Sequence, residues 1–120
     1  MDLEKCYLEL GGNYAEVKTR LPDDRLIEKF LVKFLSDGSF AALSESVSAG
    51  DAKGAFLAVH SLKGVCANLS FTRLAESTSE LTEILRPAGE QMPQCAAEAF
   101  GKTEKDYENT VAAIKKHLSA

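Results

Sequence analysis

Residues Asp51 to Leu69 read DAKGAFLAVHSLKGVCANL. At about 100° per residue, with His60 set at zero, Val65, Ala58, Leu69, Leu62, Ala55, Cys66 and Val59 fall in one arc from roughly 140° to 260°. An apolar arc that wide and continuous must face a core. The segment is therefore a helix, opened by Asp51 and ended near Asn68 or Leu69, and it packs among other helices. His60 sits at the centre of the opposite face. A lone histidine of intermediate burial tendency can simply satisfy a core position, but this one points away from the core.

The neighbours of His60 are unusual for a solvated face, which would carry Glu, Lys, Gln and Arg. Lys53, Lys63, Gly64 and Ala67 lie within roughly 60° of it, as do Phe56 and Leu57. A glycine inside a helix costs about 1 kcal/mol relative to alanine. Here Gly64 and Ala67 clear space for another backbone or a bulky anion beside the ring. Phe56 and Leu57 supply an apolar rim of the kind that marks docking surfaces. Lys63, one turn on, places an ammonium where it offsets negative charge at the imidazole. An imidazole with an ordinary pKa near 6.5 is largely neutral near pH 7 and keeps a lone pair for attack. No acidic cluster surrounds His60 on its own helix, so transition-state stabilisation has to come from a partner.

Outward from this segment, nearly every periodic stretch has the period of a helix. From Asp23 to Ser36 a stripe of Leu26, Ile27, Phe30, Leu31 and Phe34 follows Pro22 and stops at Asp37-Gly38. Ser39 is expected to cap a helix carrying Phe40, Leu43 and Val47 that ends at Gly50. Phe71 to Arg86 predicts another helix, closed by the breaker Pro87-Ala88-Gly89. The last is expected over Met92 to Leu118, with Met92, Cys95, Ala96, Ala99, Phe100, Tyr107, Val111, Ile114 and Leu118 in register. Two shorter pieces, Leu3 to Leu10 and Asn13 to Arg20, flank Gly11-Gly12, with Tyr7 and Tyr14 packing them down. No alternating, β-branched segment competes. The longer helices with short links predict an all-α, antiparallel up-down four-helix bundle with the short N-terminal helices packed over it. The expected organisation is a single domain over residues 1–120, with 1–21 as a helical cap and 22–118 as the bundle.

Composition excludes several classes. The chain has 120 residues, enough for a core without staples, and a net charge of −4. Its charges are intermixed, which argues against a nucleic-acid interface, where a basic stripe is required. No apolar run approaches a membrane span, and the N-terminus lacks the pattern of a secretory signal, so the cytoplasm is the default compartment. Cys6, Cys66 and Cys95 show no disulfide or zinc spacing and are expected to be small core residues. A metal-binding bundle needs Glu-x-x-His pairs, and neither His60 nor His117 follows such a glutamate, so no metal site is expected. His117, Lys115 and Lys116 are read simply as cations at the negative end of a helix dipole, needing no partner.

His60-Ser61-Leu62-Lys63-Gly64, with Ala67-Asn68-Leu69 and Phe71 after it and Ala49-Gly50-Asp51 before it, resembles the signature of histidine-containing phosphotransfer (HPt) domains. The likeness is specific from Gly50 to Arg73 and continues as helical pattern over most of the chain. It implies a four-helix bundle in which His60 Nε2 accepts a phosphoryl group, Lys63 lies near that group, and Gly64 gives clearance. It implies as partners a response-regulator receiver domain, whose aspartate exchanges the phosphoryl group, a hybrid histidine kinase, or both. The module would then be a carrier rather than an enzyme, acting as a monomer with no intrinsic cofactor, Mg2+ belonging to the receiver. Val59, Cys66 and Ser70 depart from the pattern, which more often has alanine, serine or alanine, and glycine. The first two face the core, whereas Ser70 is expected to alter how the helix stops.

Two other readings stay open from the residues. The same face, with Lys53, Phe56, Leu57 and Ala67 as its docking residues, also suits a helical adaptor without chemistry. The chain also suits a phosphotransfer domain detached from a larger hybrid or chemotaxis-type kinase. A kinase dimerisation helix pair fits poorly, because Ser61 follows His60 where that motif has an acidic residue, and no glycine-rich nucleotide segment is present.

Overall fold

The computed structural model describes residues 1–87 and 89–119. Among these there are α-helices and no strands: α1 Leu3–Leu10, α2 Tyr14–Arg20, α3 Asp24–Leu35, α4 Ser39–Ser48, α5 Ala52–Asn68, α6 Thr72–Leu85 and α7 Ala96–Leu118. Helix α5 packs against both α4 and α6, and α7 closes the bundle against α6, α3 and α4. Two consecutive helices, α3 and α4, share the fourth side, with the chain interrupted at Ser36 to Gly38. The expected all-helical bundle is thus the observed architecture.

Its core is assembled from the buried stripes: Ile27, Leu31 and Phe34 from α3, Leu43 from α4, and Leu74, Leu81 and Leu85 from α6. Helix α5 contributes Ala55, Val59, Leu62 and Cys66, while Ala58 and Val65 lie at the half-buried edges of its arc. Aromatic rings link the layers. Phe34 meets Phe71 edge-on at 5.0 Å, and Phe40 stacks on Tyr107 at 4.1 Å.

The short N-terminal helices lie over one end of the bundle and finish α5. Helix α1 buries Leu3, Cys6, Tyr7 and Leu10 and rests on α7. A helix C-terminus leaves carbonyls without intrahelical partners, and here α1 and α2 supply some of the donors. The Tyr7 hydroxyl donates to Leu69 O at 2.8 Å, and Arg20 donates to Ala67 O at 3.1 Å and Asn68 O at 3.2 Å. The stop itself is a Schellman motif. Phe71 N–H reaches Cys66 O at 3.0 Å and Ser70 N–H reaches Ala67 O at 3.2 Å, with Ser70 left-handed at φ 56°. Glycine usually fills that position because a Cβ is strained there. Ser70 compensates with its hydroxyl, which accepts from Arg20 and donates to Glu16 at 2.8 Å.

Several local expectations are corrected. Ser39 is the first residue of α4 and does not cap it; Asp37 accepts from the Ser39 N–H at 2.9 Å. Helix α7 begins at Ala96, not Met92. Pro93 disfavours helical geometry at the residue before it, and Ala96 N–H closes only a turn onto Pro93 O at 3.1 Å. Cys95 is consequently exposed, whereas Cys6 and Cys66 are buried as expected. His117 is only 7% exposed. Its Nε2 lies 3.1 Å from Glu9 Oε2, and Lys116 Nζ donates to Glu9 Oε1 at 3.0 Å. These side chains therefore tie α7 to α1 in addition to complementing a dipole. Within the expected breaker, Ala88 lies outside the described residues.

Candidate functional site

Helix α5 carries the site, and its start is well defined. Gly50 turns left-handed at φ 69°. The Asp51 carboxylate then accepts from Gly54 N–H at 2.9 Å, satisfying one of the free donors of the first turn. Nine residues past the cap, with Ala55, Val59, Leu62 and Cys66 seated in the core, the helix projects His60 into solvent. Burial of one face thus decides the exposure of the other.

Around the imidazole, Leu57 is 67% exposed and Phe56 is half-buried. Gly64 and Ala67 are exposed and Lys63 is half-buried. Lys53 is exposed and paired with Glu90 at 3.0 Å. A Cβ added at Gly64 would meet nothing within 4 Å, so the fold itself leaves that space open. Gly54, one helix face away, is the contrast. A Cβ there would collide with the Asp51 carboxylate and come within 2.8 Å of Ser46 Oγ. The helix thus has one glycine that its own packing needs and one that it does not.

The end of α6 adds Glu83 and the C-cap residue Arg86, which reaches Phe56 beside His60. The Phe56 ring lies 5.9 Å from the His60 ring at an interplanar angle of 23°. Arg86 places its guanidinium carbon 5.3 Å from the Phe56 centroid. Arg86 Nε and Nη2 donate to Glu83 Oε2 and Oε1, both at 3.2 Å. The Glu83 carboxyl is held below its ordinary value, first by Arg86 and also by the charge of Lys63. Only the spacing of Glu83 and Arg86 hinted at their pairing, and nothing local linked them to α5. Among the described residues no group of three or more His, Cys, Asp and Glu side chains stands together as a metal site would require.

The chain is thus an all-helical bundle that presents an accessible imidazole from the middle of a core helix. The Hpt domain family matches residues 26–119, from α3 to the end of α7, and the chain belongs to that family. Its members are histidine phosphotransfer domains of phosphorelay signalling, phosphocarriers that work with receiver domains and kinases. No curated protein and no solved structure gives a significant match. No helix among the described residues is long and apolar enough to cross a membrane.

Proposed function

We propose that this domain is a monomeric cytoplasmic phosphocarrier in which His60 Nε2 exchanges a phosphoryl group with the aspartate of a response-regulator receiver domain. The observation that carries this reading is the exposed His60 beside the open space over Gly64. In the forward step the Nε2 lone pair attacks phosphorus, the N–P bond forms as the acyl P–O bond breaks, and the aspartate carboxylate leaves. Lys63 offsets charge on the transferred group. Lys53, Phe56, Leu57 and Ala67 form the rim on which the receiver, or a hybrid histidine kinase, docks. The receiver brings Mg2+ and most of the transition-state stabilisation, since such transfers depend on positioning and charge.

Incubation with a phosphorylated receiver domain tests the proposal, by following acid-labile, base-stable phosphate. Wild-type protein is expected to take up label and His60→Gln to take up none. An unlabelled wild type would sink the carrier reading in favour of an adaptor. Label persisting in His60→Gln would move the site elsewhere.

A further inference from the structure

We infer that Phe56 and Arg86 are positioning residues for His60, holding its imidazole in the orientation that presents Nε2 outward. The inference rests on His60 being the phosphoryl acceptor and adds a role to a residue otherwise assigned to the docking rim.

An exposed histidine in a helix retains two of the three staggered χ1 wells, because the third clashes with the preceding turn. Left alone, the ring would divide its time between them. Helical side chains lean toward the N-terminus over the residues three and four places earlier. Phe56 stands four residues before His60, and its ring lies nearly parallel to the imidazole, 5.9 Å away at 23°. That separation is within the range of interacting aromatic pairs.

A phenylalanine that swung freely could not orient its neighbour. Phe56 is restrained from two sides: it packs partly on the core, and the Arg86 guanidinium covers it at 5.3 Å. Cations within about 6 Å of an aromatic face are attracted by its quadrupole. Arg86 is itself held in a two-bond fork to Glu83. A continuous line of contacts thus runs from the last turn of α6 through Arg86 and Phe56 to the imidazole.

A small phosphodonor separates positioning from docking, because it touches no rim. With phosphoramidate, the Nε2–P bond forms as the donor's P–N bond breaks and ammonia leaves. The experiment measures His60 χ1 from NMR three-bond couplings and the rate of labelling by phosphoramidate and by a phosphorylated receiver. Wild type is expected to show one dominant rotamer. Phe56→Ala should show averaged couplings and label roughly two-fold or more slowly with phosphoramidate, as the ring divides between two wells. Phe56→Tyr should restore both readouts, and Arg86→Gln, which leaves α5 intact, should also average the couplings.

Unchanged couplings in Phe56→Ala would overturn the inference, as would a loss of rate confined to the receiver. Unchanged couplings in Arg86→Gln would remove Arg86 from it. Should wild type accept phosphate from neither donor, the proposed function fails, while the couplings still decide whether Phe56 orients the ring.

Discussion

Gly64→Ala separates what the fold needs from what a partner needs. Gly64 lies inside α5, a Cβ added to it would have no neighbour within 4 Å, and its φ is not in the left-handed region. Alanine there meets no clash and gains the helix propensity that glycine forfeits, about 1 kcal/mol. Part of that gain comes from a less flexible unfolded chain. An unfolding entropy of about 2.1 cal/mol/K per residue, over 120 residues, converts this into a Tm rise of about 4 °C. Thermal unfolding followed by circular dichroism measures it directly. Gly64→Gln should likewise keep its helicity, yet its longer side chain should slow transfer from a phosphorylated receiver because it fills the approach to His60. A Tm that falls in Gly64→Ala would refute the open-space argument. Wild-type transfer rates in Gly64→Gln would refute the clearance argument even with the stability gain in hand.

Three further predictions follow from the rest of the structure. Ser70→Ala keeps the left-handed strain but loses both hydroxyl bonds, so urea unfolding should show a loss of about 1–2 kcal/mol. Ser70→Gly also loses the bonds but sheds roughly 1 kcal/mol of strain, and should fall between wild type and Ser70→Ala; the reverse order would count against this account. The Glu9 carboxyl is held below its ordinary value of 4.5, first by Lys116 and then by His117. A depressed carboxylate contributes stability above its unfolded pKa and loses it as pH falls through the folded value. Glu9→Gln should therefore be less stable than wild type at pH 7, with the gap closing below pH 4.5; a gap constant with pH would sink the assignment. Burial pushes the Cys66 thiol up to about 12 and Cys6 to about 11, while Cys95 is exposed. A thiol reagent at pH 8 should modify a single cysteine quickly in the native protein, and Cys95→Ser should abolish that fast phase. Rapid labelling of Cys66 would contradict the packing of α5.

What a single helix decides was legible in the order of residues. The period of apolar residues from Ala55 to Leu69 specified which side of α5 is buried, and therefore that His60 looks outward, because a helix has only one rotational setting that hides such a stripe. The same logic recovered the other helices, and the HSLKG core together with Ala49-Gly50-Asp51, Ala67-Asn68-Leu69 and Phe71 around it, in an all-helical chain, indicated the family. Boundaries without a strong local signal were less legible: Pro93 displaced the start of α7, which left Cys95 in solvent. Tertiary structure alone decided what crosses between helices. It brought Arg86 and Glu83 on α6 to Phe56, seated Arg20 on the last carbonyls of α5, and joined His117 to Glu9 across α1 and α7. None of these pairs has a sequence period, because their distances depend on how whole helices are packed. His60 and Phe56 were therefore visible from their own helix, whereas Arg86, which covers the Phe56 ring, became visible only once α6 lay beside it.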